Sequence, residues 1–238
     1  MKFKKPLTID EQIDYLKNNK MVKYDEINME EAKKILYLHN YINVINPYKY
    51  YFCEKSKFGI PLKNSQGKYV YNKETEFSEY YKRYAEERSH YPLIYHSLLE
   101  FETSFNSVLS LETILYYDIE NSNKFKRFIE KLLENLNMKQ LKKNVKSNME
   151  NSIRRFEDEL EKYENIYVFF DRLSLNESIT IFMCCDEILM KKIFGVLLEN
   201  FATLNYEDLP TFLSILPIIV KIRNCICHGN SLEIMCRY

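Results

Sequence analysis

The stretch TFLSILPIIVKIRNCICH, residues 211–228, is the most apolar part of the 238-residue chain, and it ends in Arg223, Asn224 and His228. Its apolar positions recur at helical spacing. Gly229 and Asn230 follow, the residue types that let a helix end in a left-handed conformation. Pro217 either kinks this helix or opens a new one at its first position. A helix this apolar is expected in a core, where polar side chains need partners.

Composition extends the helical reading to the whole chain. Only 4 residues are Gly, which leaves little material for phosphate-binding loops, dinucleotide fingerprints or turn-dense sandwiches. With 46% apolar, 15% aromatic and 29% charged residues, the sequence is that of a folded protein rather than a disordered one. The expected class is all-α, a helical bundle with an additional N-terminal helical region and one irregular loop or small hairpin. Thr8 with Glu11 and Ser174 with Glu177 form capping boxes, and Asn28 with Glu31 repeats the signal. Gly59, Pro61, Asn64, Ser65 and Gly67 mark the loop. Two core helices are predicted over 76–88 and 91–117, with Pro92 near the start of the second, and a polar helix over 138–163. The predicted division is a Tyr- and Asn-rich region, 1–75, packed on a helical core, 76–238, that carries the RNCICH segment; a single continuous domain fits as well.

Lys and Arg (34) balance Asp and Glu (34), so global basicity does not argue for a nucleic-acid partner. The balance is uneven. Between Lys124 and Arg155 ten basic residues meet three acidic ones, which gives a polyanion a local positive face. The competing reading is an ordinary solvated helix. RNA-binding candidates are Lys139, Lys142, Lys143, Lys146, Arg154 and Arg155, with Tyr48 and Lys49 from the aromatic amino-terminal region.

The six cysteines show neither a CxxC pair nor a disulfide framework, so reduced thiols are expected. Cys225, Cys227 and His228 lack the paired knuckle of a zinc site, and no metal or cofactor is predicted. The first six residues lack an apolar signal region, and no uninterrupted apolar run approaches the roughly 18 residues of a membrane span, so a cytoplasmic protein without a membrane partner is expected.

Chemistry concentrates at Arg223, Asn224 and His228. Asn224 and His228 share a helix face, whereas Arg223 lies about 140° from His228 around the axis. One helix does not converge all three; two copies about a two-fold axis do, which predicts a homodimer. RNA carries its own nucleophile, the 2′-hydroxyl. Imidazoles suit the proton transfers and a guanidinium suits the phosphate, so cleavage there requires no metal.

Arg223, Asn224 and His228 near the end of a helical chain resemble the Rx4–6H motif of HEPN-domain ribonucleases, in which Asn commonly follows the Arg. The opening Lys5, Pro6, Leu7, Thr8, Glu11, Gln12, Ile13 and the run Asn40-Tyr-Ile-Asn-Val-Ile-Asn-Pro-Tyr-Lys49 resemble abortive-infection proteins of the AbiD/AbiF (Abi-like) type, whose aromatic block reads NYYxLINGYK. Pro47 stands where Gly is usual in that block. The resemblance implies a HEPN-type core, a dimer with a composite site, metal-independent RNA cleavage and a role in phage defence or a related toxin system. Some relatives are thought to associate with a small non-coding RNA. Two other readings stand beside the ribonuclease: a protein that holds a structured small RNA without cutting it, and a purely structural helical partner.

Overall fold

The computed structural model describes residues 6–139, 143, 146–147, 150–151, 153–154, 166–200 and 208–235. The chain is all-α. In order it forms α1 (Ile9–Lys20), β1 (Val22–Lys23), α2 (Met29–His39), α3 (Tyr41–Val44), α4 (Lys49–Phe52), β2 (Thr75–Glu76), α5 (Phe77–Tyr116), α6 (Ser122–Met138), α7 (Ile166–Asp171), α8 (Leu175–Cys184), α9 (Glu187–Asn200), α10 (Leu209–Cys227) and α11 (Leu232–Met235). The two strands pair in parallel, Val22 with Thr75 and Lys23 with Glu76.

Local capping chemistry sets the helix starts. Thr8 donates its N–H to Glu11 Oε2 at 2.7 Å and its hydroxyl accepts from Glu11 N–H at 3.2 Å. Ser174 and Glu177 make the same reciprocal exchange ahead of α8. Asn28 accepts from Glu31 N–H at 3.0 Å at the start of α2. Each cap satisfies backbone donors that the first helical turn leaves open. The punctuated loop folds back on itself through antiparallel bridges at Lys55 with Pro61 and Lys63 with Tyr69.

One expectation changes. The two core helices predicted over 76–88 and 91–117 are one continuous 40-residue helix, α5, with Pro92 inside it. Proline has a helical φ and removes one backbone bond; because Pro92 is exposed, water can serve the carbonyl it leaves open. Pro217 is likewise exposed and α10 runs through it. Most of the polar helix predicted over 138–163 lies outside the described residues.

The chain divides into two compact units, Met1–Tyr95 with Asn224–Tyr238, and His96–Arg223. In the first, Leu16 of α1, Leu36 of α2, Val44 and Ile45 pack with Phe77 and Tyr80 of α5, all within 1% of full burial. In the second, the stripe Phe125, Phe128, Ile129, Leu132 and Leu136 of α6 is buried. It joins Phe105, Phe182 and Phe212 in one core. The Phe182 ring meets Phe105 at 5.5 Å and Phe212 at 6.0 Å, both nearly perpendicular. That geometry puts ring edges against ring faces, which adds about 0.5–1.5 kcal/mol per pair beyond area burial.

The apolar helix α10 contributes Phe212 and Leu216 to this core, yet only 11% of its most apolar window is buried. Ile218 is 47% exposed. At 19 residues and mean hydropathy 1.5, α10 meets the length and composition of a membrane span, although Lys221 and Arg223 interrupt its apolar run. Polar residues within it are too few and too scattered to lower the average.

One polar side chain ties the second unit together from inside. Buried Asn135 donates through Nδ2 to the Cys184 carbonyl at 2.8 Å and lies 3.2 Å from Asp186 Oδ1, at the junction of α8 and α9. Asn135→Ala strands that carbonyl and is expected to lower the unfolding free energy by about 1–3 kcal/mol. Denaturant titration checks this; a midpoint equal to wild type contradicts it.

Candidate functional site

The end of α10 is built as a hydrogen-bonded stop. Gly229 adopts φ +65°, its N–H donates to the Ile226 carbonyl at 3.0 Å, and Asn230 N–H donates to the Cys225 carbonyl at 2.8 Å. These are the two bonds of a Schellman cap, with His228 as the last residue before the left-handed glycine. A Cβ at Gly229 would meet Arg88 Nη1 at 3.2 Å, so both conformation and space call for glycine.

Two neighbouring residues of α5 fasten this stop. Arg88 donates from Nη2 to the Gly229 carbonyl, and its guanidinium lies over the rings of Tyr84 and Tyr91 at 4.9 and 5.0 Å. A cation at the carboxyl end of α10 also suits the helix dipole. Glu87 accepts from Leu232 N–H at 2.5 Å and from the Ser231 hydroxyl at 2.8 Å, and it accepts from the Tyr48 hydroxyl as well. The Tyr91 hydroxyl lies 2.9 Å from Glu87 and 2.7 Å from the Asn230 carbonyl, sharing one proton between two acceptors. The backbone around His228 is therefore fixed on both sides, while His228 and Asn224 themselves are exposed. His228 N–H donates to the Asn224 carbonyl at 3.0 Å, which places the two side chains one turn apart on the wet face.

Arg223 lies in the other unit and is 30% exposed. Its Nε is 3.5 Å from Glu102 Oε2. The second oxygen of Glu102 accepts from Leu175 N–H at 3.0 Å, at the start of α8. Glu102 thus serves a helix N-terminus and a guanidinium at once, and it orients Arg223 without enclosing it. Among the described residues no group of three or more His, Cys, Asp and Glu is placed to hold a metal ion.

The basic candidates divide. Lys143 is exposed. Lys146 donates to the Asn137 carbonyl at 3.3 Å, and Arg154 pairs with Glu150 at 3.1 Å. Lys139 is half-buried; Lys142 and Arg155 lie outside the described residues. Tyr48 is 2% exposed with its hydroxyl on Glu87, so it packs rather than offering a ring for stacking. Lys49 is half-buried, 5.3 Å from the Tyr69 ring centroid. Glu87, Arg88, Tyr91 and Glu102 were not singled out by the sequence; they carry no local signature on a long amphipathic helix, and their partners lie far along the chain.

Replacing Glu87 with Ala should free the terminal segment. Amide hydrogen exchange at Leu232 and Glu233 is expected to accelerate by about tenfold or more, with exchange in α6 unchanged. Unaltered protection at those two amides contradicts the role given to Glu87.

No curated protein and no solved structure matches the chain. The model of the Abi-like protein family matches residues 34–232, a span that runs from α2 into the start of α11 and includes Arg223, Asn224, His228 and the fastened helix stop. The chain belongs to the Abi-like protein family.

Proposed function

We propose that this Abi-like protein, whose family points to abortive-infection defence, is an RNA-cleaving effector that works as a homodimer. The observation that carries the reading is the contrast at the end of α10: a backbone locked by Arg88, Glu87 and the Gly229 stop, presenting an exposed imidazole and carboxamide one turn apart. A solvent-facing imidazole on a rigid mount is what proton transfer to and from a bound polymer needs.

In the proposed reaction one His228 takes the proton of a ribose 2′-hydroxyl, whose oxygen attacks the adjacent phosphorus. The bond from phosphorus to the 5′-oxygen breaks, and His228 of the second copy gives that oxygen a proton. The products are a 2′,3′-cyclic phosphate and a 5′-hydroxyl. Arg223 would neutralise the phosphate oxygens as charge builds in the transition state, with Glu102 limiting how far the guanidinium swings. Asn224 would orient the imidazole.

The unburied apolar surface of α10 supports the dimer. Ile218 is 47% exposed, while Ile219, Val220, Ile222 and Ile226 are half-buried. A face of that kind gains from being covered, and a second copy would cover it in the segment that leads to the motif. The exposed lysines of the basic window, such as Lys143, would supply sequence-independent grip on the RNA backbone.

Labelled single-stranded RNA incubated with the purified protein in EDTA tests the proposal. Cleavage is expected to survive chelation, and His228→Ala is expected to lower its rate by about a hundredfold or more while the protein still sediments as a dimer. Equal rates for the variant and wild type remove His228 from the chemistry. Stable binding of intact RNA without turnover would support the RNA-holding alternative instead.

A further inference from the structure

A cavity of about 820 Å³ in the first unit lies among the α1 helix, the Asn40–Lys49 block and the tip of the loop. Its volume falls in the range of small-molecule pockets, about 300–1,000 Å³. Among the described residues three lysines line it, Lys20, Lys49 and Lys68, and no Asp or Glu does. Four tyrosines and five carboxamide side chains complete most of the wall.

Lys20 is the unusual member. It is 5% exposed, and its ammonium sits 5.4 Å from the Tyr41 ring centroid and 5.5 Å from that of Tyr71, with no carboxylate paired to it among the described residues. Burial draws its pKa from 10.5 down to about 7, and the nearby Lys49 charge adds to the effect. Two aromatic faces offset part of the cost of burying a cation but supply no hydrogen-bond acceptor of carboxylate strength. Two further polar atoms of the lining are buried without partners: the Tyr71 hydroxyl and Gln12 Oε1, whose amide nitrogen is already used on the Leu7 carbonyl. Donors and an acceptor left open in one cavity describe a site made for a polar occupant.

We infer that this cavity is a nucleotide-binding site, in which Lys20 and Lys49 hold a phosphate and the tyrosines stack on the base. Phosphate meets the uncompensated positive charge, and a charge-assisted bond to Lys20 replaces its missing partner. Tyrosine rings accept a flat base without regard to its identity, while the carboxamides of Asn19, Asn46 and Gln12 can pair with its edge. The inference draws on the first unit alone and does not depend on Arg223 or His228. A free mononucleotide and the 5′-phosphorylated end of a single-stranded RNA present the same chemistry.

Calorimetric titration of the full chain distinguishes these sources. The probes are adenosine 5′-monophosphate, uridine 5′-monophosphate, and a single-stranded RNA tetranucleotide with either a 5′-phosphate or a 5′-hydroxyl, the RNA measured on His228→Ala protein so that turnover does not intervene. Saturable binding of a monophosphate supports the site with a free nucleotide as occupant. Binding confined to the 5′-phosphorylated tetranucleotide supports it with an RNA end. In either case Lys20→Met and Lys49→Met are expected to weaken affinity by about tenfold or more. The thermal midpoint of Lys20→Met should be equal to or above that of wild type, since a buried amine with no carboxylate partner has been removed. Absence of saturable binding to any probe, equal affinity for the 5′-hydroxyl RNA, or unchanged affinity in both variants overturns the inference.

Discussion

A carboxylate and a guanidinium adjacent in sequence, Glu87 and Arg88, hold the helix stop after α10 and the start of α11 in place. Arg88 takes the carbonyl of the glycine that stops α10, and Glu87 takes the N–H groups that open α11. Opposite charges therefore serve opposite helix ends, the cation at a carboxyl terminus and the anion at an amino terminus, each where the backbone partial charges favour it. Everything proposed for His228 depends on this pairing. Without it the turn at Gly229 would lose its side-chain fastenings, and an imidazole on a loose helix end could not hold a constant position relative to a phosphate.

The same economy governs Arg223. Glu102 spends one oxygen on the first turn of α8 and the other near the guanidinium, so the helix start and the cation are positioned by a single side chain. The guanidinium keeps part of its surface open, and its Nε makes no hydrogen bond of its own. Lys20 shows the contrasting case. Arg223 has an acid nearby that sets its direction while leaving it open to solvent, whereas buried Lys20 has only aromatic rings around its ammonium.

How much of this could be read from the sequence follows from the range of each interaction. Thr8 with Glu11 and Ser174 with Glu177 close over three residues, and both appear as expected. The buried stripe of α6 and the glycine stop after His228 are also local patterns and are found where the periodicity places them. Pro92 is compatible with either reading in the sequence: an interior proline costs one backbone bond and crowds the preceding turn without always ending the helix, and here α5 runs through it. Glu87 and Arg88 were illegible for a different reason: their partners lie 145 and 141 residues away, and an acid beside a base on a long helix looks like any solvated surface. Tyr48, an aromatic residue in the Asn40–Lys49 run, is a sequence candidate for RNA contact, yet its hydroxyl bonds Glu87, a use that only tertiary structure reveals. The abortive-infection resemblance draws on blocks at both ends of the chain, and the family match, residues 34–232, takes in the Asn40–Lys49 run and the Arg223–His228 segment but not the opening Lys5–Ile13 block.

In the proposed reaction RNA is cut by its own 2′-hydroxyl, with His228 moving the protons. The most direct measurement is the chemistry of the ends left on a defined RNA after incubation in EDTA, compared with the same RNA carrying 2′-O-methyl groups. The account predicts a 2′,3′-cyclic phosphate and a 5′-hydroxyl from the first and no cleavage of the second. A 3′-hydroxyl with a 5′-phosphate, or cutting of the methylated RNA, would contradict it.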